Sequence, residues 1–62
     1  ERTTETMTTP YGVVRYKTML LGQGRLRRTL EYDDLRRIAV SEGRPLAELA
    51  AEIERLLPTD DH

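Results

Sequence analysis

Four cations stand in two closely spaced pairs, Arg15 with Lys17 and Arg25 with Arg27. Side chains two apart on a β-strand share a face, so each pair projects to one side if its segment is extended. If the two strands are neighbours, all four cations share one sheet face. Such a face can grip phosphate, and Arg does so through two parallel N–H donors. The same cluster also serves as a solvated face, or as a surface that meets acids of a neighbouring subunit. A second group is Glu31, Asp33 and Asp34, followed by Arg36 and Arg37. Carboxylates suit a hard divalent cation, which makes Asp33 and Asp34 candidate metal ligands. The competing reading is that acids in a first helical turn complement the helix dipole. Consecutive acids point in different directions around a helix, so these two do not make a site alone.

Standard catalytic constellations have little to stand on. The chain has no Cys, and its one histidine, His62, falls in a polar tail over residues 59–62. A His-based triad and a soft-metal site are excluded on that supply, as is thiolate chemistry. Ser41 has no partner in view, and Gly22-Gln23-Gly24 is too short for a dinucleotide fingerprint. No catalytic residue is expected. No run approaches the about 18 apolar residues of a membrane span, and no signal-peptide pattern opens the chain. The lack of Cys suits the cytoplasm.

The elements that must position these groups follow from local pattern. Residues 13–21 are rich in Val, Tyr and Thr with a turn at each end, and predict a central strand. Its core face is Val14, Tyr16, Thr18 and Leu20, with Arg15, Lys17, Met19 and Leu21 opposite. The Thr-rich residues 2–9 predict an edge strand, joined through the turn Thr9-Pro10-Tyr11-Gly12. A loop over residues 10–12 sets Thr9 opposite Val13, Met7 opposite Arg15 and Glu5 opposite Lys17, giving a cross-strand ion pair, and is preferred to a two-residue loop, which would set Glu5 opposite Tyr16. Gly22-Gln23-Gly24 turns the chain into a third strand over residues 25–30. Leu26 and Leu30 then join the core face, and Arg28 falls on the core side and must escape at an edge. Residues 31–42 predict a helix capped at Thr29 or Leu30 and stopped by Gly43, with apolar face Tyr32, Leu35, Ile38 and Ala39. Pro45 starts a second helix whose stripe is Leu46, Leu49, Ala50, Ile53, Leu56 and Leu57, ended by Pro58. The fold class is α+β: a small antiparallel sheet of two or three strands, in β-β-β-α-α order, with two helices on one face.

Sixty-two residues make one small domain, and a chain of this size hides only about 60% of its unfolded surface. With no Phe, Trp or disulfide, the core is thin. Help is expected, either from a homo-oligomer or from a larger chain of which this is a part; the absent initiator Met fits the latter. Charge is uneven: six cations face two acids in residues 1–30, and four arginines face nine acids in residues 31–62. The halves are complementary across subunits, and Met19 and Leu21 add apolar area. Ala39, Gly43 and Leu49 have helix-turn-helix spacing, a minor alternative. A recognition helix over residues 46–57 would present Glu48, Glu52 and Glu54 against Arg55 alone, and DNA phosphates would repel it.

The chain resembles the C-terminal segment of the nickel-insertion proteins (the LarC family) that mature the nickel-pincer cofactor of lactate racemase. The resemblance spans roughly residues 6–53. It is carried by Thr9-Pro10-Tyr11-Gly12, by Val14-Arg15 and Lys17, by residues 31–39 from Glu31-Tyr32 through Arg36 to Ala39, and by Glu42, Gly43 and Pro45-Leu46. Val13 and Leu30 stand where the family often has Pro, and Leu35 where it often has Cys. The resemblance implies a full-length nickel-inserting lyase that uses CTP and a divalent metal, Mn or Mg, with nickel as substrate. It implies nucleotide binding and oligomer assembly for this segment, with a missing N-terminal region or a partner of the same family. It points to Arg15 and Lys17 for phosphate or subunit contacts. A pure interaction domain that binds no small molecule is the alternative.

Overall fold

Thr, Val and Tyr favour extended backbone in the first half of the chain, and Pro10 and Gly12 fold it back on itself. The computed structural model describes residues 2–59 and contains β1 (Arg2–Thr9), β2 (Gly12–Gly22), β3 (Arg25–Leu30), α1 (Tyr32–Glu42) and α2 (Leu46–Glu54). The strands form one antiparallel sheet in the order β1-β2-β3, so the fold is α+β as expected. Glu1, and the tail residues Asp60, Asp61 and His62, lie outside the described residues.

The first hairpin corrects the expected register. Pro10 and Tyr11 alone form the loop; Thr9 pairs with Gly12, Met7 with Val14 and Glu5 with Tyr16. Thr9 causes the tighter closure. Its Oγ1 accepts from the Tyr11 N–H at 3.0 Å and donates to the Gly12 carbonyl at 2.8 Å. Gly12 sits at φ 111°, a conformation side-chain-bearing residues rarely adopt. A one-residue slip moves a side chain to the other sheet face. Glu5 therefore leaves the Lys17 side and accepts a hydrogen bond from Thr18 Oγ1 at 2.9 Å. At the second hairpin Gln23 and Gly24 both take positive φ, as a type I′ turn requires, and the register shifts between Leu20 and Gly22.

Val14, Leu49 and Ile53 are fully buried and pack with Leu35, Ile38 and Ala39. Tyr16 and Thr18 are also buried, but Leu20 is 50% exposed and Leu26 36%, so the core ends short of the expected face. Lengths explain this. Eleven residues of β2 extend about 36 Å. Eleven residues of α1 rise only about 16 Å. The helices cannot cover the far half of the sheet, where Thr3, Thr18, Leu20 and Leu26 line a depression of about 160 Å³. Arg28 points to the helix side, as expected, and donates from Nη1 to the Pro58 carbonyl at 3.0 Å.

The helix ends depart from expectation at three places. Glu31, not Thr29 or Leu30, is the N-cap of α1, because β3 still pairs through Leu30 to Tyr16. Tyr32 is 57% exposed rather than core. The buried arc of α1 is Asp34, Leu35, Ile38 and Ala39, and including Asp34 rotates Tyr32 outward to lie under Arg36, 5.8 Å from its ring centroid. α2 stops at Glu54, and the Leu56 and Leu57 N–H groups then bond to Ile53 and Glu54 in a tighter turn. Pro58 disfavours helical backbone at Leu57, so the last turn cannot continue, and Leu56 is left 46% exposed. Gly43 stops α1 as expected, at φ 63°, with the Arg44 N–H bonded to the Ala39 carbonyl.

A core this small has no reserve. Ile53→Ala should cost about 2–5 kcal/mol, against a total of about 3–9 for a chain of this length. A urea titration should show the midpoint reduced by about half or more, and an unchanged midpoint would show that the helices contribute little to the core.

Candidate functional site

Strand alternation and register build the basic face from the backbone outward. Met19 pairs with Arg27, Lys17 with Thr29 and Gly22 with Arg25. Arg15 and Lys17 of β2 and Arg25 and Arg27 of β3 therefore lie on the sheet face away from the helices. The four cations share the face, but their side chains are employed differently.

Arg15 is taken up by the fold. β3 ends at Leu30, opposite Tyr16, so the Arg15 backbone has no strand partner on that side. The Glu31 N–H donates to the Arg15 carbonyl at 3.0 Å, and the Arg15 N–H donates to Asp34 Oδ2 at 2.9 Å. The guanidinium then closes on the same carboxylate, Nε to Oδ2 at 3.0 Å and Nη2 to Oδ1 at 2.9 Å. Arg37 Nη2 stands 3.6 Å from Oδ1. Asp34 is only 6% exposed. The Arg15 hydrogen bonds outweigh the effect of burial and hold its carboxyl down at about 2, from an ordinary 3.8. Lys17 reaches Glu31 Oε2 only at 3.7 Å, an exposed contact of little strength. Among the described residues, no hydrogen bond or ion pair engages the side chain of Arg25 or Arg27.

A second cluster joins the hairpin tip to α2. The Tyr11 hydroxyl donates to Glu52 Oε2 at 2.6 Å and accepts from Arg44 Nη1. Arg44 also bonds Glu48 Oε1, from Nη2 at 2.7 Å, and lies 2.8 Å from Glu52 Oε1. Its guanidinium carbon is 5.8 Å from the Tyr11 ring centroid. Glu52 raises the Tyr11 pKa by accepting a hydrogen bond from its hydroxyl, and Tyr11 and Arg44 lower that of Glu52. Sequence reading missed Arg44, Glu48 and Glu52 as a unit. The i, i+4 spacing of Arg44 and Glu48 was a signal, but Tyr11 is 33 residues from Arg44 and nothing local links them.

The remaining motif residues are spread out. Pro10 lies in the hairpin loop and Gly12 opens β2 behind it, Glu31 is the N-cap of α1, and Tyr32 stacks with Arg36. Asp33 lies with Arg36, Arg37 and Val40 beside a depression of about 370 Å³ on the outer side of α1. Among the described residues no three His, Asp or Glu side chains gather where they could hold a metal ion. None of the helices among them is long and apolar enough to cross a membrane.

The Asp34 anchor makes stability depend on acid pH. Its folded pKa lies below the unfolded one, so its contribution is complete above about 3.8 and is lost as pH falls towards about 2. Asp34→Ala should cost about 2–3 kcal/mol at neutral pH, because it strips an acceptor from both the Arg15 amide and its guanidinium. Urea midpoints at pH 6 and near pH 2 should show the gap between wild type and variant shrinking with acid; a constant gap would mean that the charge is irrelevant.

No curated protein and no solved structure matches the chain. The family model described as nickel insertion protein matches residues 1–50, which hold the whole sheet, the Arg15–Asp34 anchor, α1 and the start of α2. With most of its length under that match, the chain belongs to the nickel insertion protein family.

Proposed function

We propose that this chain is the nucleotide-handling module of a nickel-insertion protein, with Lys17, Arg25 and Arg27 taking the phosphates of CTP. The observation that carries this reading is the pair Arg25 and Arg27, on one sheet face with Lys17 and without a partner among the described residues. Cations with no structural work, presented on a rigid sheet, suit a triphosphate. Arg15 belongs to the architecture, its guanidinium held by Asp34. The residues do not fit a resident metal: Asp34 is committed to Arg15, and Asp33 has no fellow ligand among the described residues. Mn or Mg would enter on the nucleotide's own phosphates. Nickel is the substrate of the family's reaction, and insertion itself falls to the full-length lyase, working in the cytoplasm. Assembly into a homo-oligomer is the second reading. It is favoured by Met19 and Leu21, apolar side chains 39% and 47% exposed at the far end of the same hairpin.

Calorimetric titration with CTP and Mn²⁺ tests the first reading. Binding heat is expected, weakening as salt is raised. Arg25→Ala with Arg27→Ala should weaken binding by about tenfold or more for each arginine that contacts phosphate. Arg15→Ala should show chiefly as lost stability. A folded wild-type chain that gives no heat, or a double variant that binds unchanged, would overturn the assignment.

A further inference from the structure

β1 has a bare outer edge whose polar groups can be assigned one by one. On β2 the Arg15 N–H and C=O both point to the β3 side, since they bond Asp34 and Glu31 there. Arg15 is therefore not a hydrogen-bonded partner of Thr6, which stands opposite it on β1. In an antiparallel ladder such pairs alternate. The N–H and C=O groups of Thr4, Thr6 and Thr8 thus point away from β2, while those of Thr3, Glu5 and Met7 bond to it. No strand covers the outward row among the described residues.

Natural edges are usually blunted by Pro, Lys, a bulge or a covering element. β1 carries two charges, Arg2 near its start and Glu5, which is taken up by Thr18 of the same sheet, but it contains no Pro or Lys, its ladder with β2 runs without a register shift, and its first five residues are exposed. The free side of β2, by contrast, is closed by Glu31 and Asp34. We infer that β1 is an assembly edge, which pairs antiparallel with β1 of a second copy across a twofold axis centred on Thr6. This rests on the homo-oligomer reading and says where the contact lies.

Symmetry selects the register. A twofold antiparallel pair keeps the same sheet face uppermost in both copies, so each residue meets only residues of its own parity. A pair centred on Glu5 would set that carboxylate against its own copy, which is destabilising. A pair centred on Thr4 would leave the outward groups of Thr8 unused. Centred on Thr6, the pairing sets Thr6 opposite Thr6, Thr4 opposite Thr8 and Glu5 opposite Met7, with no like charges facing. The sheet would become six-stranded, with both helical layers on one side and both basic faces joined on the other. An edge contact of this kind belongs to the smaller, weaker class of interfaces, below about 1,200 Å². The dimer should therefore depend on concentration.

The test is sedimentation of the full chain over a micromolar-to-millimolar range, with amide hydrogen exchange on the same samples. A dimer is expected, with Thr4, Thr6 and Thr8 amides gaining protection as it forms, while Thr3, Glu5 and Met7 are protected throughout. Thr6→Pro removes an outward N–H in both copies without touching the ladder to β2, and should weaken association about fivefold or more. A dimer that forms while those three amides stay fast places the contact elsewhere and overturns this edge, leaving the oligomer reading intact. A folded monomer at every concentration overturns both. The exchange pattern of the wild type decides the matter even if Thr6→Pro does not fold.

Discussion

The Asp34 carboxylate does for the central strand what a longer third strand would have done. β3 stops at Leu30, and the exposed backbone of β2 would otherwise meet the helical layer with a bare N–H and C=O. A buried orphan donor is costly, so the chain turns at once into α1 and supplies both missing partners from its first residues. Glu31 gives the amide and Asp34 the carboxylate. Everything packed on the sheet takes its position from that junction. It sets where α1 begins, which residues of α1 face inward, and hence where α2 can rest on Val14 and Leu35.

The same junction explains why Arg15 differs from its neighbours. Its side chain lies on the outer face by strand parity, yet Asp34 emerges at the edge just where β3 ends, within reach of both amide and guanidinium. Two parallel N–H donors on one carboxylate leave it little capacity for another anion. Tyr11 is similar at the opposite end, held by Arg44 and Glu52 so that the hairpin tip stays against α2. Motif residues thus divide by task. Tyr11, Gly12, Arg15 and Gly43 serve the fold, whereas Arg25 and Arg27, outside the motif, remain available for other chemistry.

Strand order, element order and the helix stop at Gly43 were legible because each is a local property: β-branched runs, turn residues and a left-handed cap. The identity of the basic face was legible for the same reason, since parity alone assigns it once the strands are known. What was not legible depends on tertiary partners. The hairpin register turned on one Thr9 hydroxyl, which no periodicity encodes. Asp34 read as a dipole partner or metal ligand because its true partner lies 19 residues away across the sheet. Tyr32 read as core because apolar spacing cannot foresee that a carboxylate will take part of the buried arc.

The mismatch between a long sheet and short helices has a physical consequence of its own. Covering the far half of β2 and β3 would take apolar residues that this chain does not have, and burial of Leu20 and Leu26 is forgone. At about 25 cal/mol per Å², the exposed Leu and Met surface there is a store of unused association energy rather than a defect. On the other face of the same end Met19 stands opposite Arg27, beside cations that no described acid neutralises, so burial of that side by an arbitrary apolar partner would also desolvate charge at high cost. A partner for that basic face must therefore bring both apolar area and negative charge. The acidic helical half of another copy has that composition, and so does a nucleotide-bearing surface. The constraint follows from residue placement alone and narrows what can cover the sheet.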